Sequence, residues 1–367
     1  LITGGAGFIG SHVADELLRH GYRVRALDAL VPQVHGDARK RPAYLDAEVE
    51  LQIGDVRDRA AVERALRGVD AVFHFAAAVG VGQSMYDVEH YTSVNNGGTA
   101  VLMELLTTRP VERLIVASSM SVYGEGLLRD AAGTPREAKS RSLEQLRRGQ
   151  WELEGPDGER LLPVPTPETK TVTLESIYAL SKFDQERMCL LLGRAYDIPS
   201  VALRFFNVFG TRQALSNPYT GVLAIFASRL LNDNRPLVFE DGNQQRDFVS
   251  VHDVARACRL ALESEHAPGR VLNVGSGTKR SIAEVARKMA EVMGKPHIAP
   301  EITGKYRMGD VRHCFADVSL AERVLGYQPA IPFDRGLSEL AEWLRGQVAQ
   351  DRAAEARAEL EARGLTL

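Results

Sequence analysis

Tyr178 and Lys182 stand four residues apart in Tyr178-Ala179-Leu180-Ser181-Lys182. On a helix that spacing puts a phenol and an ammonium on one face, where the cation lowers the phenol's pKa. A tyrosine tuned in this way can take a proton from a hydroxyl near neutral pH. A second cluster has related chemistry. Ala117-Ser118-Ser119-Met120-Ser121-Val122-Tyr123-Gly124 closes an apolar, strand-like run, and open parallel sheets bind ligands at the carboxyl ends of their strands. Ser119 is the candidate to hydrogen-bond the oxygen that Tyr178 deprotonates, with Ser121 as second choice. Tyr and Lys at this spacing are common, so the pair gains weight only from what else the chain carries.

What it carries is Thr3-Gly4-Gly5-Ala6-Gly7-Phe8-Ile9-Gly10 between a strand pattern and a helix pattern. Gly4 makes the turn, Gly7 lets the backbone approach a pyrophosphate, and Gly10 lets helix and sheet pack closely. The helix beginning around Phe8 and Ile9 offers free N–H groups and a positive dipole end to phosphates. Roughly 20 residues on, where a dinucleotide site needs a carboxylate, Asp28 ends the second strand pattern. A carboxylate there binds the adenosine ribose hydroxyls and repels a 2′-phosphate, which selects NAD over NADP. Asp55 and Val56 follow the third strand at the expected adenine edge, although a helix-capping role explains Asp55 equally well. An oxidised nicotinamide would lower the Tyr178 phenol further.

Positioning these groups requires strands that alternate with helices. Apolar runs at 23–27, 49–53, 71–75, 113–117 and 201–205 read as buried parallel strands. Helical patterns cover 11–20, 60–67, 94–107 and 178–196. The alternation predicts an α/β fold, a Rossmann-type doubly wound parallel sheet with a smaller, interwoven C-terminal substrate-binding region. Residues 1–206, with a returning segment at 244–275, form the dinucleotide domain. Residues 207–243 and 276–345 form the substrate region, with helices at 253–263 and 282–293 and a strand at 271–274 that rejoins the main sheet. From Gly336 onward a long amphipathic helix is expected, ending in a charged helical extension at 346–367 that frays or projects. A polar stretch at about 126–173, patterned only as a short helix at 142–148, reads as a surface insertion near the site mouth. Because the glycine loop begins in mid-strand, the native protein is expected to start a few residues upstream.

Composition narrows the partners. Apolar residues are 44% and charged residues 25% of the 367, values of an ordinary globular protein. A net charge of -3 offers no field for nucleic acid or anionic membrane, so an anionic substrate must be met by a few placed arginines. Cys189, Cys258 and Cys314 are far apart without metal-knuckle spacing; buried, reduced thiols and a cytoplasmic location are expected, with no metal. No run reaches the ~18 apolar residues of a membrane span. His12, His74 and His252 have no partner at metal spacing and read as structural.

These residues together resemble extended short-chain dehydrogenases, specifically nucleotide-sugar 4-epimerases, over nearly the whole chain. The resemblance rests on the glycine loop, Phe73-His74-Phe75-Ala76-Ala77, the serine cluster, Tyr178–Lys182, and Arg204-Phe205-Phe206-Asn207-Val208-Phe209-Gly210. It continues through Gln245-Arg246-Asp247-Phe248-Val249-Ser250-Val251-His252-Asp253-Val254 and Arg307-Met308-Gly309-Asp310-Val311. The run Arg212-Gln213-Ala214-Leu215-Ser216-Asn217-Pro218-Tyr219-Thr220-Gly221-Val222 and the long insertion look most like dTDP-L-rhamnose 4-epimerase-type members. Such relatives carry paired cysteines in the insertion; this one has none, so no metal role carries over. The resemblance implies that Phe75, Ala76, Ala77 and Asn95 line the cofactor cleft and that Asn207 and Arg246 contact a substrate diphosphate. Asn217 joins them at the substrate, and Arg307 and Asp310 belong to the nucleotide-binding segment. Guanidinium binds phosphate bidentately. A homodimer is also implied, with Leu180, Phe183, Met188, Leu191 and Leu192 as apolar surface or core.

The reaction implied is NAD-dependent 4-epimerisation of a dTDP- or UDP-sugar through a transient 4-keto sugar, with NAD tightly bound and regenerated each cycle. A 4,6-dehydratase would need an acid and a base directly after Ser119, where Met120-Ser121 stands. A 4-ketoreductase or decarboxylase of the same fold is the alternative. A non-catalytic NAD-binding sensor is the reading from a different class, and it has no need of Tyr178 and Lys182.

Overall fold

Seven apolar runs assemble into one parallel sheet in the computed structural model, which describes residues 1–37, 39–138, 141–155 and 157–366. The strands are β1 (Ile2–Thr3), β2 (Arg25–Asp28), β3 (Glu50–Ile53), β4 (Ala71–His74), β5 (Arg113–Ser119), β6 (Ser200–Phe205) and β7 (Val271–Val274). Their order across the sheet is β7-β6-β5-β4-β1-β2-β3. Helices cover both faces, which is why central strands such as Leu114-Ile115-Val116-Ala117 are apolar without alternation. Helices α1 (Phe8–Arg19), α2 (Arg59–Ala65), α3 (Gly98–Thr108), α4 (Ile177–Ala195) and α5 (Val251–Glu263) supply the layers. One core joins Val13, Leu17, Val254 and Cys258 to Phe73, Ile115 and Leu203; the other joins Val62, Leu102, Leu106 and Cys189 to Val72, Leu114 and Val116.

The strand at 271–274 pairs with β6 from Val271↔Ala202 to Val274↔Phe205. A separate core forms around Phe209, Phe226, Phe248, Met289 and Leu337, in the stretch expected to form the substrate region. All three cysteines are buried and unbonded. Among the described residues, no helix is long and apolar enough to cross a membrane.

Three stretches depart from expectation. The helix at 94–107 is entered through a π-helical turn, Thr92–Gly97. The insertion holds a small antiparallel sheet of Leu128–Arg129, Pro135–Arg136 and Leu162–Pro163 over its own apolar cluster of Leu128, Leu153 and Leu161. Its helix, Leu143–Arg147, is capped by Ser142 Oγ accepting from the Gln145 N–H at 3.1 Å. The expected long C-terminal helix is two helices, Phe333–Leu344 and Ala353–Ala362. The first ends where its buried stripe of Leu337, Leu340 and Leu344 runs out; Val348 is 95% exposed. The second folds back on the body, burying Ala356 and Leu360.

His74 is fully buried, its ring nitrogens 2.8 Å from Thr3 Oγ1 and 2.8 Å from Thr99 Oγ1. Burial first, and then the Lys182 charge, lowers its pKa to about 3. Burial lowers His12 to about 3 as well. The unfolded chain protonates both near pH 6.5, so it binds more protons than the folded chain at lower pH. Stability is therefore full above pH ~6.5 and is lost as pH falls toward 3, by about 1.4 kcal/mol per pH unit per histidine. Denaturation midpoints measured from pH 6.5 to 5 should fall, and His74→Gln should make that slope shallower by about one histidine's share, about 1.4 kcal/mol per pH unit. Parallel slopes for the two proteins would contradict the assignment.

Candidate active site

The carboxyl edges of the central strands open into one cleft of about 590 Å³. Its first half is built by the glycine loop. Gly4 has φ +70°, and a Cβ on Gly10 would sit 2.3 Å from the Gly4 carbonyl oxygen, so neither position tolerates a side chain. No side chain caps α1 at Gly7, which leaves its first N–H groups to the cleft. Buried Asp28 is fixed by the Ala6 N–H at 3.0 Å and the Leu30 N–H at 2.9 Å. Asp55 accepts from Arg57 Nη2 at 2.7 Å, and the cap of α2 is Asp58. Glycines where a side chain would clash, an uncapped helix end and a buried carboxylate at the end of β2 fit a dinucleotide.

Tyr178 and Lys182 rise from the first turns of α4, capped by Ser176. Ser119 ends β5; its Oγ lies 3.1 Å from Ser121 Oγ and accepts from the Ser121 N–H at 3.1 Å. Ser119 also hydrogen-bonds the Tyr178 phenol, which lowers the phenol's pKa against the larger upward push of burial. The expected lowering by Lys182 is not what sets it. Burial brings the ammonium down to about 8, and Nζ donates to Gln185 Oε1 at 2.7 Å. Gln185 in turn donates to Thr99 Oγ1 at 2.8 Å.

The second half of the cleft is polar and partly unsatisfied. Asn207 Oδ1, Gln213 Oε1, Gln244 Oε1 and Arg307 Nε are buried without a hydrogen-bond partner, and all four residues line the cleft. Buried polar atoms in that state point to a ligand. Arg246 is buried and held by the Gln245 and Arg312 carbonyls at 3.0 Å each. Arg307 Nη2 donates to Asp310 Oδ2 at 3.0 Å.

Every residue expected from the sequence at the cofactor or substrate lines this cleft except Asn95. Asn95 is fully buried behind the wall, with Oδ1 accepting the Ala78 N–H at 2.7 Å and Nδ2 donating to Ser181 Oγ at 2.8 Å. It fixes the loop after β4 from within the π-helical turn Thr92–Gly97. Asn217 lines the cleft with Oδ1 engaged by Gln33 Nε2 at 3.0 Å. Sequence reasoning missed Gln185 and the buried pair Glu186–Arg204, in which Glu186 also accepts from Ser118 Oγ at 2.7 Å. Their only local signal is position, one turn beyond Lys182.

The sequence matches the model of the NAD dependent epimerase/dehydratase family over residues 1–145 and 155–275. It is 36% identical over 349 residues to dTDP-L-rhamnose 4-epimerase of Burkholderia thailandensis, covering 94% of each chain. The solved UDP-glucose 4-epimerase of Thermus thermophilus, in complex with NAD, is similar with TM-score 0.74 and 31% identity over 95% of this chain and 99% of that one. UDP-glucuronic acid 4-epimerase of Bacillus cereus, in complex with UDP-glucuronic acid and NAD, gives TM-score 0.73 and 26% identity over 94% and 98%. The cleft and these matches agree: this is an NAD-using enzyme, and the chain belongs to the NAD-dependent epimerase/dehydratase family.

Proposed function

We propose that this chain is a nucleotide-sugar 4-epimerase that works through a transient 4-keto sugar. The observation that carries the reading is continuity: a dinucleotide half and an arginine-bearing, unsatisfied polar half meet at Tyr178 and Ser119. Tyr178 takes the proton of the sugar 4-hydroxyl and returns it, and Ser119 holds that oxygen. Lys182, one helical turn beyond Tyr178 on α4 and fixed by Gln185, supplies the ammonium of the group. NAD supplies hydride acceptance and return when bound. Asn207 and Arg246 are assigned to the diphosphate together with Arg307 of the nucleotide-binding segment, because a guanidinium binds phosphate bidentately, with Asn217 and Asp310 at the nucleotide end.

Substrate choice follows from charge. Among the described lining residues, the lysines and arginines are Arg57, Lys182, Arg246 and Arg307. The first is paired with Asp55, the second belongs to the catalytic group, and the last two serve the diphosphate. No cation is left for a carboxylate at sugar carbon 5, which favours a neutral sugar, dTDP-L-rhamnose first. Met120, largely buried, stands where a dehydratase needs an acid, which argues against water elimination.

The purified protein, incubated without added cofactor with dTDP-L-rhamnose, UDP-glucose or UDP-glucuronate and followed by NMR, should convert the first to its 4-epimer and leave the uronate untouched. No conversion of any of them, even with NAD supplied, would move the assignment to a reductase of a 4-keto sugar. A homodimer is proposed as well. Leu180 and Leu191 on α4 are 41% and 45% exposed and share a stripe with Asp184 and Arg187.

A further inference from the structure

The C-terminal helix Ala353–Ala362 and the residues after it pack against both walls of the cleft. On the substrate side the contact is made by backbone. The Met308 N–H donates to the Leu365 carbonyl at 2.9 Å, and Arg307 and Thr366 form an antiparallel bridge. On the dinucleotide side it is made by side chains. The Leu360 methyl carbons lie 3.4 Å from where a Cβ on Gly82 would stand, and Leu360 is 5% exposed. The Arg363 guanidinium lies 4.3 Å over the Tyr86 ring, whose hydroxyl is 2.6 Å from that of Tyr219. Gly82, Tyr219 and Arg307 all line the cleft.

The residue braced by this tail has unused binding capacity. Arg307 donates Nη2 to Asp310 and lies 5.4 Å from the Phe239 ring centroid, while its Nε is buried without a partner. Its backbone sits in a short segment carrying two glycines within five residues, Gly304 and Gly309, both with φ above +60°. Such a segment has little conformational preference of its own, so an external strand partner decides where the guanidinium points.

We propose that residues 353–366 are a working part of the substrate site: a strap, keyed into the opposite wall by Leu360, that positions Arg307 for the diphosphate of the nucleotide substrate. The proposal rests on the assignment of Arg307 to that diphosphate. Leu360 is then a positioning residue, acting through Arg307 without touching substrate. The salt bridge Lys305–Glu361, 2.7 Å long but more than a third exposed on both sides, contributes little to this. The buried leucine and the backbone pairing carry it.

The test is calorimetric titration of dTDP and UDP into the full chain with its NAD, comparing wild type, Leu360→Asp, Arg307→Ala and the double variant. Steady-state kinetics on the sugar substrate and the bound NAD content accompany it. Leu360→Asp should weaken diphosphate binding about 10-fold, raise KM by a similar factor, and leave kcat and NAD content near wild type. The double variant should bind no more weakly than Arg307→Ala alone, because both changes remove one interaction. Leu360→Ala, a milder cut at the same contact, should move binding in the same direction and covers the case in which the aspartate variant does not fold. Wild-type affinity in the Leu360 variants, with Arg307→Ala weakened, would overturn the strap and leave the diphosphate assignment standing. Wild-type affinity in Arg307→Ala itself would overturn the assignment and the strap with it. A tail that only braces the fold would lower melting temperature without this split between KM and kcat.

Discussion

Tyr178→Phe should lower kcat about 10³-fold, within the range that a positioned acid or base contributes, while NAD content and substrate KM stay close to wild type. The change removes one oxygen and keeps the ring. What is lost is the hydroxyl proposed as the proton acceptor, which Ser119 hydrogen-bonds. Ser119→Ala should cost less, because the phenol remains, and it should displace the pH profile. Burial raises the phenol's pKa and the Ser119 hydrogen bond lowers it. Deleting that bond therefore raises the pKa further, and since the basic form is the one that takes the sugar proton, the rising acid limb of kcat must move to higher pH. Stopped assays across pH 6 to 10 on both variants check this. Full activity in Tyr178→Phe would leave no catalytic role for the phenol and return weight to a sensor on an enzyme fold.

The part of this site legible in the sequence is the part made by residues near one another in the chain. The glycine loop works within eight residues of backbone, and Tyr178, Lys182 and their cap lie within seven. Spacing therefore reports their geometry directly. Asp28 was readable because strand length and the βαβ repeat fix its distance from the loop. Asn95 was assigned to the cleft on resemblance, and the structure instead puts it behind the wall, holding Ala78. The insertion was illegible because its strands are two residues long, too short for an alternation to show. The C-terminal break was hidden by an Ala/Glu/Arg composition that favours helix on either side of it. Gly346, just past the last helical residue, and the depletion of apolar positions around Val348 are the signals that mark the turn. Arg312 was missed for a different reason. It reads as one charge inside Val311-Arg312-His313-Cys314-Phe315, and its partners lie 71 to 160 residues away.

Arg312→Met should destabilise the protein by about 3 kcal/mol, the lower end of the 3–5 expected when one member of a buried ion cluster is removed. Arg312 is fully buried and donates to Glu240 at 2.7 Å, to Asp241 at 2.6 Å and to Glu152 at 2.5 Å. Glu240 keeps Arg141 at 2.7 Å, and the other two carboxylates, about a third exposed, can recover some hydration. Those two facts set the lower end. The geometry also makes the effect local. Glu152 and Arg141 belong to the segment 126–173, whereas Glu240 and Asp241 follow the strand Leu237–Val238, so the cluster ties the two together. Limited proteolysis of the variant should cut faster within 126–173 while the Tyr178 chemistry persists. The pH dependence separates a lost ion cluster from a misfit side chain. Glu152 is held at about 2 by His313 and then Arg312, against its burial. Asp241, which burial would raise, is also held at about 2, chiefly by Arg312 and Asn243. Carboxylates with depressed pKa values stabilise the fold above their unfolded values near 4 and lose that contribution as pH falls toward 2. The stability gap between wild type and Arg312→Met should therefore be constant above pH ~5 and narrow below it. A gap that stays constant down to pH 3 would assign the loss to packing alone.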